Sequence, residues 1–179
     1  MGVSGSGKST IGLLLAERIK ADFFDGDDLH PQGNVLRMAA GYPLEDRERI
    51  PWLHLVGERL QSAQASGTSL VMACSALKHS YRDILREHVP NAFFLFLDGP
   101  PELVQERVLR RNHEFMPASL LASQFRSLEP LKPEENGMRI DINMTPQAAI
   151  DIVLDGKRPS KNDAITTGSV KGPGLDLQP

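Results

Sequence analysis

The 179-residue chain has a single cysteine, Cys74, so no disulfide can close within it. Long apolar runs are also absent. The longest, Ala92 to Leu97, is far short of the roughly 20 residues a helix needs to cross a bilayer. The opening Met1-Gly2-Val3-Ser4 lacks the apolar core of a secretory signal. Neither sign of charge dominates: 20 Lys and Arg face 23 Asp and Glu, a formal net charge of −3. That leaves no basic footprint for nucleic acid or an anionic membrane, so neither is expected as a partner. By elimination, the expected compartment is a reducing cytoplasm. Met1-Gly2 with Gly5-Ser6 brushes against a lipidation signal, but a glycine-rich loop accounts for the same residues.

What is present reads as one α/β domain with a tail. Apolar residues at helical spacing (Ile11, Leu14, Leu15, Ile19) predict a helix over 8–19. Further helices are expected from Pro31 to about 40, 46 to about 65, 79–88, 101 to about 111, 117 to about 128 and 146–154. Between them, 22–25, 69–74, 92–97 and 138–142 read as strands, the third continuously apolar, as in parallel strands covered on both faces. Alternating strands and helices predict a parallel sheet between helix layers. The domain is expected over 1–155. Residues 156–179, rich in Lys, Pro, Ser, Gly and Thr without periodicity, are expected to be a disordered tail.

The chemistry begins with Gly2-Val3-Ser4-Gly5-Ser6-Gly7-Lys8-Ser9-Thr10, which satisfies G-x-x-x-x-G-K-[ST]. Glycines let successive N–H groups turn inward around phosphate oxygens, and the helix that follows adds its positive end. In this pattern Lys8 reaches the β- and γ-phosphates of a nucleotide, and the Ser9 hydroxyl suits Mg²⁺. ATP and Mg²⁺ are therefore the expected cofactors.

Three other clusters stand at strand or helix ends. Asp25-Gly26-Asp27-Asp28-Leu29-His30-Pro31 follows a strand, where parallel sheets place ligands; it reads equally as a metal or hydroxyl site and as an acidic turn capping the next helix. Cys74-Ser75-Ala76-Leu77-Lys78 follows another strand, with Lys78 placed to meet an anionic substrate and Cys74 a small buried residue. Arg107, Arg110, Arg111 and His113 form a basic cluster. Cations suit a helix C-terminus, but a phosphoryl-transfer context favours a lid that closes over ATP.

Taken with these segments, Pro43-Leu44-Glu45-Asp46, Arg49-Ile50-Pro51-Trp52-Leu53, Tyr81-Arg82-Asp83, Phe115-Met116-Pro117, Ser123-Gln124-Phe125 and Leu128-Glu129-Pro130 resemble the gluconokinase family of small ATP-dependent kinases. The resemblance runs to about Leu154. It implies a P-loop NTPase three-layer sandwich of the nucleoside-monophosphate-kinase and shikimate-kinase type, a lid over about 111–128, gluconate as substrate and 6-phosphogluconate as product. It further implies that Asp25 holds Mg²⁺ through water and that Asp27 meets the accepting hydroxyl. His30, Arg49 and Lys78 become substrate-binding candidates, the last two for the carboxylate, and Arg111 the lid arginine. Catalysis is then expected from Lys8, Asp27 and Arg111, with a homodimer left open as the assembly. The family lid reads R-x-G-H-F, whereas here it is Arg111-Asn112-His113-Glu114-Phe115.

One more thing is missing. The glycine-rich loop begins at residue 2, so the central strand that should feed it is not in the sequence. The expectation is a clipped or later-than-native start, and a gap at the middle of the sheet with Gly2 at its carboxyl edge. The strands ending at Asp25, Cys74 and Leu97 are expected to flank that gap. The rivals are another small-metabolite kinase, such as one like shikimate kinase, and a nucleotide-binding protein that no longer catalyses.

Overall fold

The computed structural model describes residues 1–110 and 118–157. Its helices are α1 (Lys8–Ile19), α2 (Gln32–Ala39), α3 (Asp46–Ala65), α4 (His79–His88), α5 (Pro101–Leu109), α6 (Ala118–Ser127) and α7 (Pro146–Lys157). Its strands are β1 (Asp22–Asp25), β2 (Leu70–Ala73), β3 (Phe94–Asp98) and β4 (Gly137–Asp141). A 3-10 turn, Gly26–Leu29, sits where the sequence suggested only an acidic loop. Helix α2 starts at Gln32 because Pro31 takes the cap position, with its carbonyl accepting from Asn34 and Val35. Helix α3 opens on a reciprocal cap, in which the Glu45 N–H donates to the Glu48 carboxylate at 2.8 Å.

All strand pairing is parallel. β1 runs beside β2 from Asp22↔Leu70 to Asp25↔Ala73, and β3 beside β4 from Phe94↔Gly137 to Asp98↔Asp141. Among the described residues these form two separate two-stranded sheets. Between β2 and β3 lies a cavity of about 500 Å³, lined by Leu70, Val71 and Met72 on one side and Phe94 and Leu95 on the other. Met1 and Gly2 close its end: Leu97 N–H donates to the Met1 carbonyl at 2.9 Å, and Gly2 N–H to the Ser75 carbonyl at 3.2 Å. The expected gap is therefore present, with Gly2 at the carboxyl edge. One part of that expectation is corrected: β1 does not flank the gap, because β2 stands between them.

Two apolar cores divide the molecule. One gathers Ile11, Leu97, Val104, Ile140 and Ile150, with α1 packed on α7. The other gathers Trp52, Leu53, Val56, Tyr81 and Leu85 where α3 packs on α4. Burying such side chains contributes about 1.5–3 kcal/mol each, which is what fixes the helix layers on the strands. The strands all point the same way, so the carboxyl ends of β1, β2 and β3 open onto one rim. The loops that follow them carry the candidate chemistry.

Candidate active site

The glycine-rich loop runs from Gly2 into α1. Gly7 caps the helix at φ +97° with open space where a Cβ would stand, and no side chain caps the first helical N–H groups. Gly5, at φ +81°, lies so close to α5 that a Cβ would stand 2.6 Å from Val108 Cγ2. Both conformations belong to glycine. Lys8 folds back over the loop, its Nζ donating to the Val3 carbonyl at 3.1 Å. Ser6 Oγ is buried without a hydrogen-bond partner among the described residues. Helix α6 reaches the loop as well: Ser4 N–H donates to Gln124 Oε1 at 2.6 Å.

Ser9 and Asp25 meet where α1 and β1 come together, with Ser9 Oγ donating to Asp25 Oδ2 at 2.9 Å. The other Asp25 oxygen accepts the Asp27 N–H at 3.2 Å, which folds the 3-10 turn back toward the phosphate loop. A hydroxyl and a carboxylate so placed suit a hard cation. Among the described residues no group of three or more His, Cys, Asp or Glu could cage a metal ion. The donor set thus fits an ion that arrives with phosphate oxygens and keeps part of its water.

Asp27 and His30 stand at the two ends of the 3-10 turn. The Asp27 side chain is exposed, whereas that of His30 is only 5 % exposed and its Nε2 lies 3.9 Å from Asp27 Oδ1. Trp52 backs the histidine, with ring centroids 4.1 Å apart and planes 15° from parallel. The Trp52 indole N–H is anchored on the Gly26 carbonyl at 2.7 Å. Burial, assisted by the nearby Arg49 charge, pushes His30 down to about 4, so its ring is neutral at ordinary pH.

Arg49 and Lys78 come together around Tyr81, each with its charge over that ring at 5.9 Å and 5.3 Å. They are not equivalent. Lys78 is gripped by both Asp46 oxygens at 2.7 and 2.8 Å, which raises its pKa and lowers that of Asp46. The Tyr81 hydroxyl also donates to Asp46, at 2.5 Å. Arg49 carries no hydrogen bond or ion pair to a carboxylate among the described residues, which leaves it the better presented cation for an anionic substrate. Asp46 and Tyr81 were not singled out as site residues from sequence; Asp46 at a helix start was the available signal.

Arg82, next to Tyr81 on α4, braces the loop that carries Lys78. Its fully buried guanidinium pairs with both Glu135 oxygens at 2.7 and 2.8 Å and donates to the carbonyls of Ala76, Leu77, Glu129 and Pro130. Hydrogen bonds from Arg82, the Lys132 N–H and Arg86 hold Glu135 well below the usual carboxylate range, overriding the opposing effect of burial. The loop that presents Lys78 is thereby bolted to the segment after α6. Cys74 beneath it is buried, and burial with the Asp27 charge pushes its thiol up to about 12, so it is inert packing.

Of the basic cluster, Arg107 donates to the Ile142 carbonyl at 2.7 Å and Arg110 pairs with Glu106 at 2.5 Å. Both line a cavity of about 320 Å³ shared with Gly5, Gly7, Thr10 and the segment from Asp141 to Pro146. This cavity extends from the phosphate loop and offers the space for a nucleoside, contacts that the sequence did not reveal. Arg111 and His113, the first seven residues expected in the lid and the tail from 158 lie outside the described residues.

The comparisons with known proteins fit this geometry. Residues 4–150 match the family model described as Shikimate kinase. The thermosensitive gluconokinase of Escherichia coli K12 is 47% identical over 144 residues, covering 80% of this chain and 77% of the relative. The chain belongs to the gluconokinase family. Two solved structures share its fold at similar identity. A gluconokinase from Sinorhizobium meliloti 1021 superposes with TM-score 0.77 at 42% identity, covering 87% of each chain. A sugar kinase from Janibacter sp. HTCC2649 gives TM-score 0.83 at 43% identity, covering 87% of this chain and 90% of that one. The shikimate-kinase-like alternative is not favoured, because the curated relatives at 35–47% identity carry gluconokinase names. As in other gluconokinases, a kinase reaction implies use of ATP. No described helix is long and apolar enough to cross a membrane.

Proposed function

We propose that this gluconokinase-family chain transfers the γ-phosphoryl group of ATP to the 6-hydroxyl of D-gluconate. The observation that carries the reading is the convergence on one rim of the phosphate loop with Lys8, the Ser9–Asp25 pair, and the Asp27 and Arg49–Lys78 groups. The transfer is in-line and needs no covalent enzyme intermediate, so positioning and charge do most of the work. The loop N–H groups and Lys8 hold the triphosphate. Ser9, and Asp25 through water, would hold Mg²⁺, which when bound offsets charge on the phosphate oxygens. Asp27 accepts a hydrogen bond from the attacking hydroxyl and receives its proton. Arg49 meets the sugar-acid carboxylate, with Lys78 kept beside it by Asp46. Arg111 is the residue that would neutralise charge from the lid. The reaction belongs to a cytoplasmic pool of ATP and sugar acid.

A coupled ADP assay against a panel of linear sugar acids and cyclic hydroxy acids tests this. Gluconate should give the highest kcat/KM and shikimate none. Turnover of shikimate above gluconate would replace the reading with the shikimate-kinase-like one. Nucleotide binding without turnover of any acid would make the chain a binding protein.

A further inference from the structure

His30 has a fixed tautomer, and its partner decides it. The Asn34 amide nitrogen donates to the Glu48 carbonyl at 3.0 Å, which identifies that atom as the –NH₂ group. Its second hydrogen is directed at His30 Nδ1, 3.4 Å away. A neutral imidazole has one donor and one acceptor, so Nδ1 is the acceptor and Nε2 carries the hydrogen. Nε2 is the atom that faces Asp27 Oδ1 at 3.9 Å. The ring cannot easily turn away, because it is buried, stacked on Trp52 and held by Asn34, itself buried in α2. Arg49 is a charged neighbour, and it favours the neutral ring. The exposed Asp27 carboxylate therefore faces a rigid N–H donor.

We propose that His30 is a positioning residue: locked by Asn34 as the Nε2–H tautomer, it donates to one oxygen of Asp27 and turns the other toward the accepting hydroxyl. The present 3.9 Å exceeds a hydrogen bond, and a small rotation of the exposed Asp27 side chain closes it; such bonds commonly tighten only when substrate is bound. The sequence suggested His30 as a direct substrate ligand, and the two roles predict different kinetics. The inference rests on Asp27 being the carboxylate that meets the hydroxyl.

Two substitutions separate donor from packing. His30→Phe keeps an aromatic ring against Trp52 and removes the N–H, whereas His30→Gln keeps an amide N–H near the Nε2 position and removes the ring. His30→Phe should lower kcat about 10- to 100-fold with KM for gluconate nearly unchanged, the scale expected of a misplaced catalytic group. His30→Gln should recover about tenfold of that loss. Combined with Asp27→Asn, His30→Phe should add no further loss, since both act through one carboxylate. Nitrogen NMR of the wild-type ring should show Nε2 protonated and Nδ1 bare at neutral pH. A rise in KM with kcat intact, equal kcat for the two His30 variants, full additivity with Asp27→Asn, or an Nδ1–H tautomer would each overturn the proposal. Asp27→Asn alone reports separately on the underlying reading: near-normal kcat there removes Asp27 from the mechanism, whatever His30 does.

Discussion

Replacing Arg82 by methionine should be the most damaging single change outside the phosphate loop. The guanidinium is fully buried and all its N–H groups are engaged, two of them by Glu135, whose side chain is 2 % exposed. Methionine fills much of the volume but leaves Glu135 with Arg86 and the Lys132 N–H as its remaining partners, and strips donors from the carbonyls of Ala76, Leu77, Glu129 and Pro130. Breaking a buried pair by removing one partner costs about 3–5 kcal/mol, against a total stability of about 5–15 kcal/mol. For a chain of this length that corresponds to a fall in Tm of roughly 6–20 °C. Urea and thermal unfolding followed by circular dichroism would measure it. The double variant Arg82→Met/Glu135→Leu removes the stranded charge and should be more stable than Arg82→Met alone. A loss below about 1 kcal/mol, or a double variant no better than the single one, would refute the reasoning.

Three further outcomes follow from the same geometry. Lys8→Met should abolish gluconate-dependent ADP release while Tm stays within a few degrees, since methionine keeps most of the aliphatic stem and loses the ammonium; activity above a few per cent of wild type would contradict its role. Lengthening the chain by about five Val- and Ile-rich residues before Met1 should fill the cavity between β2 and β3, pair both edges and raise Tm and solubility; equal Tm and activity for both forms would argue against it. His30 is depressed from 6.5 to about 4 in the folded chain, so folding resists its protonation and the stability it contributes drains as pH falls from 6.5 toward 4. Between about pH 7 and about pH 5 the wild type should lose about 2 kcal/mol more than His30→Gln, and parallel melting curves would exclude this.

Local pattern made much of the fold legible. The apolar spacing of α1, the capped start at Asp46 and the continuous apolar β3 all sit within a few residues of where periodicity places them. The shorter β2 reflects chemistry at the rim, where Cys74 to Lys78 leave the strand to form the site loop. The site was legible where one motif carries several contacts in sequence, as from Gly2 to Ser9. It was not legible where partners lie far apart. In the sequence Arg82 stands out only within Tyr81-Arg82-Asp83, and nothing near it in the chain points to its carboxylate partner, 53 residues away. Likewise no period reveals that Asp46 captures Lys78, 32 residues distant.

The division into two strand pairs gives the glycine-rich loop a second task. β1–β2 and β3–β4 each close their own hydrogen-bond ladder, yet they share packing: Phe94 of β3 sits in one core with Trp52 and Tyr81, and Leu77, beyond β2, in the other with Ile11 and Leu97. The phosphate loop straddles the seam: Gly2 is tied to Ser75 after β2, Met1 to Leu97 in β3, and Ser4 to Gln124 on α6. A triphosphate gripping that loop therefore acts as a cross-brace as well as a substrate. Ligand bound there stabilises both strand pairs together, by mass action on the folded state.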